Sequence, residues 1–214
     1  MIENYLQPVI EEYTRGNYFA EIQQAREEFF SKTGQVNEDD PFFESRMALF
    51  FDWYIFDRKL NNSQFTPIKH FYRKKRDKLI EENLLCYRGL ANHIHSIFNL
   101  LKIKKKDVRI TDMSTNKGYI VNPGLMRLSL SEGDIFEGRI VPIGKEWWFT
   151  TGFCFHPKEA TKFILDEIKK ARLGEIHIYK DLILELASMK LKFERYHHIG
   201  PEKIYVRGSL GAKA

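Results

Sequence analysis

From Ile2 to Leu90 the apolar positions recur every three or four residues, the period of a helix with one buried face. Ile2, Leu6, Val9, Ile10 and Tyr13 predict a first helix, broken by Gly16 and Asn17. Tyr18, Phe19, Ile22, Ala25, Phe29 and Phe30 predict a second, ending near Gly34. Asp40 before Pro41 reads as an N-cap with proline at the first helical position. The helix it opens runs to about Asp57 and holds Phe42, Phe43, Met47, Leu49, Phe50, Phe51, Trp53, Tyr54, Ile55 and Phe56. It is apolar nearly all round, so it is expected to be central and buried. Thr66–Pro67 repeats the cap-then-proline start for a helix through His70 and Phe71. Leu79, Ile80, Leu84, Leu85 and Leu90 define another from about Asp77 to Asn92.

The period then shortens. Ser96 to Lys104 reads as a strand, because Lys105-Lys106-Asp107 is turn-like and Val108 to Met113 is a clearer strand. Asn116-Lys117-Gly118 turns into a short strand, Tyr119 to Val121, ended by Asn122-Pro123-Gly124. After the turn Ser131-Glu132-Gly133-Asp134, the stretches Ile135 to Ile143 and Glu146 to Phe155 form a hairpin around Gly144–Lys145. Helical spacing returns in Lys158 to Arg172, with Gly174 as the stop, and again in Tyr179 to Tyr196. Beyond Pro201 the glycines and basic residues suggest loosely held chain. The pattern is that of an α+β protein. It predicts a helical region over 1–95, a small antiparallel β meander or barrel over 96–156, C-terminal helices over 157–200 packed on the rest, and a flexible tail over 201–214.

Composition sharpens this picture. Among 214 residues there are 17 Phe, 10 Tyr and 3 Trp, enough aromatic surface for a substantial core, which argues against disorder. Cys86 and Cys154 sit in apolar stretches and read as small buried hydrophobes, not as a disulfide framework. Met1 to Tyr13 is acidic and lacks the apolar segment of a signal peptide. No run reaches the length needed to span a bilayer, so the cytoplasm is the expected compartment. The formal charge of +5 is modest and leaves room for an acidic partner, an anionic ligand or an RNA surface.

Several stretches resemble a group of uncharacterised bacterial proteins, some of which carry a C-terminal SEC-C metal-binding tail. They are FFDWYIFDR (Phe50 to Arg58), the Thr66–Pro67 start, VRITDMSTNKGYIV (Val108 to Val121) and LSEGDIFEGRIVPI (Leu130 to Ile143). The resemblance covers about half the chain and implies a helical lead-in to a β unit, with no activity attached. The clustered cysteines of the metal-binding tail have no counterpart after Cys154. Asp112-Met113-Ser114-Thr115-Asn116-Lys117-Gly118 is also similar to the turn of PilZ domains, which implies cyclic di-GMP binding on a barrel. Here the glycine falls one residue late, and Arg73 and Arg76 are spaced by two residues where that family's arginine pair is spaced by three. The plain alternative for the same residues is a polar hairpin turn.

The chemistry-bearing residues point to binding more than to catalysis. No nucleophile elbow, phosphate-cradling glycine loop, dinucleotide fingerprint or zinc helix is present. His93 and His95 have a spacing that suits metal ligands on a strand, but no third ligand is near in sequence, so no metal is expected. Asp52 and Asp57 lie in the most apolar helix and must be paired; Arg46 and Arg58 are the nearest partners in sequence. Two basic runs stand out: Arg73, Lys74, Lys75 and Arg76, and Lys104, Lys105 and Lys106 with Lys102 before them. Tyr119, Phe136, Trp147, Trp148 and Phe149 offer stacking faces beside them, and adjacent Trp147 and Trp148 must face opposite ways on a strand. The resulting expectation is a non-catalytic binding or regulatory protein, without cofactor, that contacts another protein through Arg109, Asp112, Ser114, Lys117, Arg139, Trp147 and Trp148. The alternative is a nucleic-acid or cyclic-dinucleotide binding module using the basic patch.

Overall fold

The computed structural model describes residues 2–173 and 176–207. Helices α1 (Ile2–Thr14), α2 (Phe19–Thr33), α3 (Phe43–Phe56), α4 (Pro67–Lys75) and α5 (Glu81–Ala91) come first. Strands β1 (Ile94–Ile103), β2 (Val108–Asp112), β3 (Gly118–Asn122), β4 (Ile135–Ile143), β5 (Glu146–Phe149) and β6 (Cys154–His156) follow. Helices α6 (Thr161–Arg172), α7 (Ile176–Arg195) and α8 (Pro201–Ile204) close the chain. The α+β order predicted from the hydrophobic periods is therefore the order observed. Gly174, the predicted stop before α7, lies outside the described residues, as does the tail after Arg207.

The strands close into a barrel, not an open meander. β1 pairs with β2 on one side and with β4 on the other, so the ring runs β1-β2-β3-β5-β4 and back to β1. The pairing of β3 with β5 is parallel, against the all-antiparallel expectation. The predicted long strand Glu146 to Phe155 is interrupted. β5 and β6 occupy successive stretches of the same β4 edge, joined by a hydrogen bond of 3.1 Å from the Thr150 amide to the Arg139 carbonyl. The break has a local cause: the Thr150 hydroxyl and the Gly152 amide both turn outward to Asp52 on α3. A side chain on Gly152 would lie 2.7 Å from that carboxylate.

Alternation along the strands sends Phe98, Leu100, Val108, Ile110, Tyr119, Val121, Phe136, Ile140 and Phe149 into the barrel. A bulge between Leu100 and Lys102 shifts the register and returns Ile103 to the inside. A second core joins α1 to α5 around Phe50, Tyr54 and Ile55 of α3, as its all-round apolar pattern implies. A third gathers α6, α7 and α8 with Ile97 and Ile135 from the outside of the barrel. Long α7 faces both helical cores, through Leu184, Ala187 and Leu191 to one and Leu182, Ile183 and Leu186 to the other. The sequence suggests loose chain after Pro201. Instead α8 forms and Tyr205 is buried, with its hydroxyl 3.0 Å from Nδ1 of His156.

Helix α5 meets the barrel backbone to backbone. A Cβ on Gly89 would sit 2.0 Å from the carbonyl oxygen of Pro142 on β4. In an exposed helix interior Gly→Ala gains roughly 1 kcal/mol. At this contact the sign reverses: Gly89→Ala is expected to destabilise the protein by about 2 kcal/mol or more through forced separation of α5 and β4. Urea unfolding of the two proteins measures it.

Candidate functional site

Along the outer face of β4, Ile135 packs into the α6–α8 core and Val141 into the α1–α5 core. Between them, at the seam of the two, stand Glu137 and Arg139. Arg139 has no solvent exposure at all. Its Nη2 and Nε both donate to Oδ2 of Asp57, the second at 3.1 Å, and its Nη1 lies 3.7 Å from Asp52. His95, paired across from Arg139 on β1, has Nδ1 3.3 Å from Asp57 and Nε2 3.0 Å from Glu137. Lys180 of α7 reaches Asp57 from the solvent side at 3.5 Å. Arg139, Lys180 and the His95 imidazole thus surround one carboxylate at the C-terminal end of α3.

Burial pushes against every charge in this group, and the partners decide the outcome. For Asp57 burial is outweighed by Arg139 and then His95, which hold the carboxyl well below its usual range. Glu137 is likewise lowered against burial, by its bond to His95. Burial and Arg139 both oppose a charged His95, yet Asp57 and Glu137 raise it. Asp52 goes the other way: burial dominates and raises its pKa despite Arg139 and Thr150.

These contacts limit the chemistry. Both ring nitrogens of His95 are already engaged, Nε2 with Glu137 and Nδ1 with Asp57 and Arg139. His93 faces the ring of Phe56, bonds the Leu90 carbonyl, and is pushed by burial down to about 4. Among the described residues no group of three or more His, Cys, Asp or Glu side chains converges as metal ligands would. A cavity of about 190 Å³ opens beside Asp57 and His95, walled by Trp53, Leu184, Lys32 and Lys180. Its charged rim is already internally paired, Lys32 with Asp181 and Lys180 with Asp57.

The residues singled out by sequence scatter over several settings. Arg139 belongs to the seam. Asp52 and Asp57 are ion-paired as expected, but by Arg139. Arg46 donates instead to the Thr33 and Ala187 carbonyls, and Arg58 binds Glu28 and Glu21. Asp112 is buried and accepts from Ser96, from the Ser114 amide and hydroxyl and from Thr115, so Asp112 and Ser114 brace their own turn. Tyr179 of α7 bonds the Ser96 hydroxyl and the Ile97 amide there. Trp147 leans into the barrel against Tyr119, while Trp148 packs on the opposite side in the α1–α5 core. Phe136 and Phe149 are barrel interior. Lys117 lies over the Tyr119 ring.

The two basic runs differ in kind. Lys74 and Lys75 pair with Glu12, Arg76 with Asp77, and Arg73 lies over the Phe65 ring at 4.5 Å. On the β1–β2 hairpin, Lys102, Lys104, Lys105, Lys106 and Arg109 are exposed, and among the described residues none has an ion-pair partner. Lys102 pairs across the sheet with Arg109, and Arg109 with Ile120, which makes one row over β1, β2 and β3. Leu101 and Ile120 flank that row at 55% and 56% exposure. The hairpin tip is closed by the Lys104 amide on the Asp107 carbonyl, and Arg127 donates to the Lys104 and Lys105 carbonyls. Glu132 accepts from the Ile103 amide at 2.9 Å. Nothing in the local sequence marked Arg127 as the residue that holds this tip.

Replacing Arg139 by Met would leave Asp57 and Glu137 buried with too little positive charge. The expected cost is about 3–5 kcal/mol in unfolding free energy at neutral pH, with part of it returned by adding Asp57→Asn. His156 gives a second measurement. Burial pushes it down to about 4 from an ordinary 6.5. Above pH 6.5 the fold keeps its full advantage. As pH falls from 6.5 to 4 the unfolded chain takes up a proton that the fold refuses, and about 3 kcal/mol is lost. His156→Leu is expected to be less stable at pH 7.5, through the lost Tyr205 bond, yet to show a shallower decline over that window in pH-dependent urea unfolding.

Comparison with curated proteins and with solved structures finds no significant match. A family model does match, over residues 9–177, a span that takes in α2 to α6, the complete barrel and the seam built around Arg139. The chain belongs to DUF7986, a family of unknown function.

Proposed function

We propose that this is a non-catalytic binding protein whose working surface is the exposed edge of β1, β2 and β3, and whose partner is a polyanion. One observation carries the reading. Lys102 to Arg109 hold five cations and one acid, and among the described residues none of these five cations has an ion-pair partner. In the other basic run Lys74 and Lys75 are ion-paired with Glu12 and Arg76 with Asp77. Arg139, Arg58, Lys74 and Lys180 all have carboxylate partners. Unmatched charge gathered on one exposed face raises the local potential and steers an oppositely charged partner. Among the described residues Asp52, Asp57, Glu137, His95 and Arg139 engage one another at the seam. Two buried, unpaired thiols, Cys86 and Cys154, suit a reducing compartment such as the cytoplasm.

Gatekeeping is the competing account of such lysines, since edge strands use them to block unwanted pairing. It explains this hairpin poorly, because β2 is paired on both sides and the end of β1 beyond Asn99 is already capped, Leu100 by Gly133 and Asp134 and the Ile103 amide by Glu132.

Heparin, as a generic polyanion, tests the surface. The wild-type protein is expected to stay on a heparin column above about 0.15 M salt. Lys104→Glu/Lys105→Glu/Lys106→Glu is expected to emerge in the flow-through, with stability changed by less than about 0.5 kcal/mol. The same exchange at Lys74 and Lys75 should leave retention intact. Absence of wild-type retention defeats the reading.

A further inference from the structure

The geometry points to single-stranded nucleic acid as the polyanion held on this edge, an assignment that rests on the surface reading above. We infer that Lys102, Arg109 and the lysine tip contact phosphates while Leu101 and Ile120 meet bases.

Peptide partners are disfavoured by the topology. A peptide that joins a sheet needs a strand with a free edge. Here β2 is paired on both sides, and the side of β1 that β4 leaves beyond Asn99 is taken up by the 132–134 turn, through Leu100 with Gly133 and Asp134 and the Ile103 amide with Glu132. A peptide helix needs an apolar groove, whereas Leu101 and Ile120 stand out from a convex barrel wall at more than half exposure. What this surface does offer is clustered charge: Arg109 is the cross-strand neighbour of Lys102, and Lys104, Lys105 and Lys106 follow in the turn that joins the two strands. Such a cluster suits a flexible polymer that carries a charge on every repeat.

Duplex is disfavoured as well. A two-stranded ribbon can enter a major groove if it projects. This hairpin is held back on the barrel, its tip pinned by Arg127 and its end by Glu132. Leu101 and Ile120 can reach base faces only where these are unpaired. Closed five-stranded Greek-key barrels of the OB type bind single strands on the face of strands 2 and 3 and the loop joining strands 1 and 2, which is the surface in question. Among the described residues of β1, β2 and β3 no aromatic ring is exposed for stacking bases. Tyr119 and Trp147 lie in or against the barrel interior. Phosphate contacts therefore dominate, and binding is weakly sequence-selective and strongly salt-dependent.

Fluorescence anisotropy with labelled oligo-dT and oligo-dA 12-mers, a 12-bp duplex and labelled poly-L-glutamate tests the assignment on the full chain. Both single strands are expected to bind at least tenfold more tightly than duplex or polyglutamate. For five phosphate contacts log K should fall against log salt with a slope of about −3.5. The Lys104→Glu/Lys105→Glu/Lys106→Glu protein should lose at least tenfold in affinity and about two units of slope. Leu101→Ser/Ile120→Ser should lose severalfold in affinity with the slope unchanged, a response that charge alone would not give. Equal or tighter binding of duplex or polyglutamate, or no binding of either single strand, overturns the assignment while heparin retention keeps the surface reading standing. Loss of heparin retention in the wild type overturns both.

Discussion

A guanidinium without solvent contact organises this protein. Arg139 stands on the outer face of β4, where a charged group must be compensated on the spot or the fold fails. Compensation comes from Asp57 and Asp52 on α3, from Glu137 two residues away on β4, and from His95 between two of the acids. Directional, charge-assisted bonds of this kind tolerate little displacement, so they determine how the central helix sits on the barrel. Burying such a group is no cheap source of stability compared with apolar packing. Its consequence is orientation: α3 meets the barrel in one register, and the lines of contact on either side follow.

Several features that look separate derive from this. β5 is interrupted because Thr150 and Gly152 turn to Asp52. The two helical cores stay distinct because the polar seam lies between Ile135 and Val141 on one strand. Helix α7 closes the seam from outside, with Lys180 on Asp57 and Tyr179 on Ser96 and Ile97. The two basic runs are distinguished by pairing: Lys74, Lys75 and Arg76 have carboxylate partners, whereas Lys102, Lys104, Lys105, Lys106 and Arg109 stand exposed together on one hairpin.

The periodicity of the chain was enough to read most elements. The nearly all-round apolar run from about Pro41 to Asp57 implied a central buried helix, and α3 (Phe43–Phe56) is one. Opposite orientations for Trp147 and Trp148 followed from strand geometry alone, and the two rings belong to different cores. Asp52 and Asp57 announced themselves as carboxylates needing partners. The partners were misread because sequence proximity favoured Arg46 and Arg58, while the true one lies 82 residues beyond Asp57. Stacking by Phe136 and Phe149 was misread for a related reason: composition reveals aromatics but not whether a sheet curls to enclose them.

What the sequence determined by itself was local: helix and strand periods, turns, caps, the demand that buried acids be paired, and the density of lysine between residues 102 and 106. What only the tertiary structure decided was which distant groups met. Closure of β1 on β4 curled the sheet, put the aromatic faces inside, and left the lysines of the β1–β2 hairpin exposed. Arg139 acquired its role only when β4 was laid against α3. Local patterns are set by torsions and side-chain spacing within a few residues. Pairing across eighty residues is set by which arrangement compensates every buried charge at once, a condition that no segment can express alone.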